Sequence, residues 1–307
     1  MNNEQKPTHV AHNFSWPTEP LGRITNVLDG VAGFVELWDF SLANSSYEAW
    51  VHFVSKIASI CYANPKALGS ISLFDRLQAE SGGLPSSSYE FIPVLLERDT
   101  VVEILSNSQA KQPSDVAIIK YGSWLSNNNH LLTNLRALIE MAGPEASLNY
   151  LNTSEEEIQI IRDNFKVFLF NVDLSTRAQM VRHRVSWQEL SRRYVSGTKS
   201  PFEFYISKKL AKLKDFFEDP KTPERDTQMA FEVNEYFEIS VAMYNHAIAS
   251  GVKPEEARRI LPQAMMTQIW GAFQPSQLDN WFKLRLNPHA QSEIRMVAQA
   301  MQELING

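Results

Sequence analysis

Cysteine is nearly absent from this 307-residue chain: Cys61 stands alone. One thiol cannot form an internal disulfide, and it lacks the companions that a structural zinc site needs. Long apolar runs are missing too, for no window approaches the roughly 18 consecutive apolar residues of a membrane span. The N-terminal MNNEQKPTHVAHNFSWPTEP has no basic flank followed by an apolar stretch, so neither export nor membrane insertion is indicated and a reducing cytoplasm fits. Neither GxGxxG nor GxxxxGK[ST] occurs, so any phosphate must be held by side chains rather than by a glycine-rich cradle. HExxH is missing as well, and the seven histidines show no ligand spacing beside carboxylates; no metal is expected. A net charge of −6 argues against a nucleic-acid partner, which would call for a basic stripe or domain. An anion site in this chain has to be locally basic.

What is present is a chain with 44% hydrophobic residues, enough to bury a core. The first residues are polar and proline-punctuated, and we read 1–32 as a mobile arm ahead of one domain, 33–307. GFVELWDF looks like a short strand, and residues 47–62 carry Trp50, Phe53, Val54, Ile57 and Ile60 at helical spacing. ISLFDRLQAE makes another amphipathic helix, stopped by Gly82, Gly83 and Pro85 before the turn-like Ser86, Ser87 and Ser88. Residues 95–164 alternate apolar stretches such as HLLTNLRALIEM with polar breaks such as SNSQAKQPSD and LNTSEEE, and read as a helical insert. FKVFLFNVDL is short and rich in Phe and Val, the pattern of a buried strand. From Ser175 onward the reading is mainly helix, with EDPKTPERD as a connection.

Two stretches carry dense polar chemistry. In AQMVRHRVSWQELSRRYVSG, read as helix, Arg182, His183, Arg184, Arg192 and Arg193 surround Gln179, Glu189 and Ser191. Arginine forks grip phosphate oxygens in pairs and also bond ring carbonyls. Charge alone leaves a second reading open, a solvated basic face with Glu189 in surface pairs. In ARRILPQAMMTQIWGAFQPSQLDNWFKLRLNPHAQSEIR, Arg258, Asn280, Arg285, His289 and Gln291 interrupt apolar helical runs. An arginine among Trp281, Phe282, Leu284 and Leu286 is costly to bury without an anionic or carbonyl partner, and the alternative is snorkelling to the surface.

Together these stretches resemble the flavin-dependent thymidylate synthase family. RHRVSWQELSRRY is similar to its Arg-His-Arg signature ending in Ser-x-Arg-Tyr, and ARRILP, Thr267 and LDNWFKLRLNPHAQSEIR follow its C-terminal pattern without a gap. GFVELWDF, ASICYANPK, SYEF, PFEFYIS and SGVKPEEAR fall in the family's order, so the resemblance runs through most of the chain from Gly33. Three departures stand out: the spacer from Arg184 to Ser191 is one residue shorter, the HxSPxEH-like motif survives only as PSSSYEF, and the shortest members lack the insert.

The resemblance implies an α+β fold, a mainly antiparallel sheet flanked by helices, assembled as a homotetramer with shared active sites. It implies conversion of dUMP to dTMP with FAD as cofactor and with NADPH and methylenetetrahydrofolate as co-substrates. Along the flavin it places Arg182, His183 and Arg184, with Arg182 also near the nucleotide and Glu189 bridging the two ligands. Gln179, Ser191, Arg193 and Arg258 then hold the phosphate and sugar, and Arg285 faces the pyrimidine as the catalytic cation. Asn280 and His289 contact the flavin, joined by Ser87 and Glu90. Cys61 falls near the flavin as a small core residue. Another uracil nucleotide such as UMP, or a catalytically silent nucleotide-binding relative, is the rival expectation.

Overall fold

The computed structural model describes residues 17–64, 68–78, 85–107, 116–126, 128–197, 199–211 and 229–307, with the side chains of 229–232 excepted. In chain order its strands are β1 (Gly22–Leu28), β2 (Ala32–Trp38), β3 (Pro93–Glu97), β4 (Ser123–Trp124), β5 (His130–Asn134), β6 (Lys166–Asp173), β7 (Ser186–Glu189) and β8 (Met266–Phe273). The helices that position the site are α1 (Tyr47–Ser59), α2 (Ile71–Gln78), α3 (Leu135–Ala142), α4 (Glu155–Asn164), α5 (Leu174–Met180), α6 (Met229–Ala249), α7 (Pro275–Arg285) and α8 (Ser292–Asn306).

The larger sheet runs β1-β2-β6-β8-β7 and the smaller β3-β5-β4, and every paired strand is antiparallel. The molecule is therefore α+β. Asp29 and Gly30, both at positive φ, close the β1–β2 hairpin, the backbone that an Asp-Gly pair favours in tight hairpins. Gly33 is needed next to it: at φ +76, a Cβ there would lie 2.6 Å from the Asn171 carbonyl of β6.

Strand β6 is covered on both faces, which explains its near-continuous apolar run. Phe168, Phe170 and Val172 join Phe273, Trp281 and Ile294 in a core between the sheet and α7 and α8. Val167 joins Trp50, Phe53, Leu95 and Trp270 in a second core under α1, α2 and the smaller sheet. Within this second core, a buried amide network ties α1 to the smaller sheet. Asn152 offers Oδ1 to the Leu95 N–H and donates Nδ2 to the Leu95 carbonyl, each at 2.9 Å. Asn44 Nδ2 donates to Asn152 Oδ1, and Trp50 Nε1 donates to Asn44 Oδ1. Thus Asn152 completes the edge of β3 as a strand would, so the burial leaves no orphaned backbone group there.

Four sequence expectations need correction. The arm over 1–32 is not an arm throughout: residues 22–28 form β1, stitched to β2 and packed against α8, while 1–16 lie outside the described residues. The 95–164 insert is not purely helical, because HLLTN of the expected helix is strand β5 and the helix starts only when Asn134 caps Ala137. Downstream of Ser175, MTQIWGAF is the interior strand β8 rather than helix; its apolar run is long because β6 and β7 flank it. The arginine-rich stretch is not one helix, since α5 ends at Met180 and β7 begins at Ser186. The stops Gly82 and Gly83, most of SNSQAKQPSD, and the EDPKTPERD connection lie outside the described residues.

Candidate active site

Strand β6 hands the chain directly to α5, whose first N–H groups are capped by Asp173 through Ser175 and Thr176. The helix lasts seven residues, and the turn after it sends the chain back as β7. Gln179, Arg182, His183 and Arg184 are thereby grouped at one end of the sheet. Helix α7 arrives beside them: β8 ends at Phe273, and the next residue, Gln274, forms a capping box with Gln277 and is followed by Pro275 at the first helical position. Gln277, Asn280 and Leu284 recur three and four apart and so share one face of α7.

That face and the Arg182–Arg184 turn line a cavity of about 440 Å³, with Arg285 completing its wall. Three arginines, 182, 184 and 285, and no carboxylate line it. In a chain of net charge −6 this is the locally basic pocket that an anionic ligand requires. Arg285 is held from two sides, Nε donating to His183 Nε2 at 2.7 Å and Nη2 to the Gln179 carbonyl at 3.0 Å. Since Nε2 accepts, His183 is the neutral imidazole with its proton on Nδ1. Burial, reinforced by the adjacent Arg285 charge, pushes the His183 pKa down to about 4. The imidazole is 7% exposed, 4.7 Å from the Trp281 ring, and its carbonyl accepts from Trp187 Nε1 at 3.1 Å. Arg285 is itself shifted downward, by burial first and by Arg182 second. Two neighbouring cations destabilise each other until an anion arrives.

The remaining expected residues form a separate group. Glu189, on β7, is ion-paired with Arg177 and accepts from Thr267 Oγ1 at 3.2 Å. Ser191 follows it, its N–H donating to the Cys61 carbonyl. Arg193 lies 3.8 Å from the Glu255 carboxylate, while Arg258 Nε donates to the Glu255 carbonyl at 3.3 Å. Ser191, Arg193 and Arg258 are thus gathered around one corner, but none of them, nor Glu189, lines the Arg285 cavity.

A second cavity, about 590 Å³, adjoins the first through Arg184 and Gln277 and is walled on its far side by Lys120, Arg136 and Glu140. Glu90 lies in it, ion-paired with Arg136 at 2.7 Å. Ser87 donates to Gln188 Oε1 at 2.7 Å, and Gln188 Nε2 donates to Cys61 Sγ. His289 is exposed after α7, its N–H donating to Asn287 Oδ1, and lines neither cavity.

Sequence reasoning missed the partners that hold these groups: Arg177 for Glu189, Trp187 and Trp281 for His183, and Arg136 for Glu90. Arg177 stands 12 residues before Glu189, and only the reversal between α5 and β7 brings them together. The paired tryptophans were visible inside both dense stretches, but as apolar residues they carried no sign of contact with His183.

Comparison with known proteins places the segments that carry these residues in a family. The family model described as thymidylate synthase complementing protein matches residues 121–307, a span that contains β4 to β8 and every residue of both arginine groups. Flavin-dependent thymidylate synthases are similar to it: that of Aquifex aeolicus is 32% identical over 146 residues, covering 46% of this chain and 45% of the relative. That of Pyrococcus furiosus is 33% identical over 140 residues, covering 44% and 53%, and that of Sulfurisphaera tokodaii 30% over 166 residues, covering 49% and 58%. The aligned part spans about half the length of these relatives. With the family model covering well over half of its residues and both arginine-bearing segments, the chain belongs to the thymidylate synthase complementing protein family.

Proposed function

We propose that this protein is a flavin-dependent thymidylate synthase, converting dUMP to dTMP with FAD as cofactor, methylenetetrahydrofolate as carbon donor and NADPH as reductant. The observation that carries the reading is the pinning of Arg285 by His183 and Gln179 in a cavity with three arginines and no carboxylate. The donor set fits the flavin: two adjoining cavities suit an elongated dinucleotide, with arginine forks for its pyrophosphate and amide groups for its ring carbonyls. Arg182, His183, Arg184 and Asn280 would hold it, with Glu90 in the adjoining cavity, and Ser87 and His289 are candidates at the margins. When bound, FAD supplies the hydride that this chemistry requires.

The protein's part is to bind, orient and polarise. Uracil C5 is a weak nucleophile, and making it react places negative charge on the ring's carbonyl oxygen. Arg285 is a fixed cation already aligned by two hydrogen bonds, so it stabilises that charge without reorganising, a contribution of about 2–4 kcal/mol. Neutral His183 orients Arg285 without adding a competing charge. Gln179 and Arg182 contact the nucleotide from the same side. Ser191, Arg193 and Arg258 supply its phosphate grip, and Glu189, oriented by Arg177 and Thr267, bridges nucleotide and flavin.

Because the phosphate group of residues does not line the Arg285 cavity within one chain, the complete site is assigned to a homotetramer in which neighbouring chains each contribute a half. The whole is read as a cytoplasmic enzyme with the architecture of its family. Purified protein supplied with FAD, NADPH, methylenetetrahydrofolate and either dUMP or UMP tests the reading, with products identified by mass. dTMP formation is expected; methylation of UMP alone reassigns the substrate, and no product from either rejects the activity.

A further inference from the structure

The Arg192 side chain has no role in the site just described, yet it is 7% exposed and forms no ion pair among the described residues. Burying an arginine without a carboxylate is costly, and an apolar side chain of similar volume would avoid that cost. What the guanidinium adds is direction. Nη1 donates to the Ser200 carbonyl at 2.7 Å, Nη2 to the Pro201 carbonyl at 3.4 Å, and the fork lies 4.6 Å from the centre of the Phe202 ring. Phe202 in turn presses on Gly197, where a Cβ would come within 2.5 Å of its ring, and meets Tyr244 of α6 edge-on at 5.0 Å.

These contacts have a destination. Immediately after Phe202 the Glu203 carbonyl accepts from the Met266 N–H, and the Tyr205 N–H donates to the Ala264 carbonyl. That is the segment into which the chain runs from the turn Arg258–Ile260. Phe202, Phe204 and Tyr244 share a small core with Ala257, Leu261 and Met265. Arg192 therefore fastens the loop bearing Ser191 and Arg193 to the segment bearing Arg258, although the two lie more than sixty residues apart in the sequence.

We propose that Arg192 is a positioning residue for the phosphate half of the nucleotide site, setting Ser191 and Arg193 in register with Arg258. The inference rests on the dUMP reading above and names how that half-site is preorganised. Without the fastening, the loop keeps its residues but loses their mutual geometry, and the loss falls on the phosphate rather than on the flavin or the ring.

The test uses Arg192→Met, which keeps length and removes the fork, and Arg192→Lys, which keeps charge and loses the two-carbonyl grip. Binding of dUMP and of 2′-deoxyuridine is measured by calorimetry, with FAD affinity, KM and kcat for dUMP, and thermal midpoint alongside. Expected for Arg192→Met is a weakening of dUMP binding by about tenfold or more with a matching rise in KM, while kcat, 2′-deoxyuridine and FAD binding change by less than about threefold. Arg192→Lys should fall between, and it carries the test alone should the methionine variant not fold. Unchanged dUMP affinity overturns the proposal. So does an equal loss for dUMP, 2′-deoxyuridine and FAD with a lowered thermal midpoint, which would make Arg192 a packing residue only. A wild-type protein that binds no dUMP is a different result, and it removes the substrate reading together with what rests on it.

Discussion

Acidification below the ordinary imidazole range should destabilise this protein through His183. The unfolded imidazole takes up a proton near the ordinary value of 6.5, whereas the folded one resists until about 4. As pH falls below 6.5 the unfolded state binds a proton that the folded state refuses, so stability declines. Each pH unit in that window costs up to about 1.4 kcal/mol, which gives about 2 kcal/mol at pH 5. His52, shifted downward by burial and by Lys56, adds a loss of the same sign. Lys56, held down to about 8, is charged in both states throughout the window and adds no slope. Urea unfolding of the wild type and of His183→Phe at fixed protein concentration, from pH 7 to pH 5, isolates the His183 contribution as the difference between the two curves. Phenylalanine preserves the ring packed against Trp281. The wild-type curve should fall more steeply, by about 2 kcal/mol over the window. Parallel curves would show that His183 is not held neutral, and the account of Arg285 resting on an uncharged imidazole would fail with them.

Arg285→Ala should lower kcat for dUMP by about 10²-fold or more while FAD affinity, read by fluorescence titration, changes little, because its proposed partner is charge developing on the pyrimidine. Gly271→Ala would set a Cβ 2.6 Å from the Trp187 ring; a loss of about 1–3 kcal/mol is expected in denaturant melts, and a lowered kcat with it, since Trp187 also anchors the His183 carbonyl. Refolding Arg193→Ala together with Arg285→Ala should restore activity toward about one quarter of wild type if each site draws its halves from two chains of a closed assembly; no recovery after demonstrated subunit exchange would place the site within one chain.

Much of this was legible in the sequence, and the failures share a cause. Helical spacing located α1 and α2, and short, strongly apolar runs located β2 and β6. β8 was misread because its run of apolar residues, MTQIWGAF, looks the same as a buried helix until its neighbours β6 and β7 are known. β5 was absorbed into a helix for a similar reason, and only the capping role of Asn134 marks where strand gives way to helix. The resemblance named the arginines and set Ser191, Arg193 and Arg258 apart as the phosphate group, but it did not give the local geometry of either group. That Arg182, Arg184 and Arg285 share one cavity while Arg193 and Arg258 share another corner follows from the reversal after α5, which composition does not encode.

The strand order of the larger sheet also constrains how the protein is made. β2 is complete at Trp38, but its partner β6 begins only at Lys166, and β6 in turn awaits β8 at Met266. During synthesis β2 therefore emerges with an open edge, and most of the chain must leave the ribosome before the sheet can close. The intervening residues are not idle, since α1, α2 and the β3-β5-β4 sheet share one core and supply a collapsed platform on which the late strands can assemble. Such long-range closure slows folding and leaves apolar edges open to association. Expression is accordingly expected to favour soluble protein when translation is slowed or temperature lowered, with truncations that end before residue 273 accumulating as aggregates.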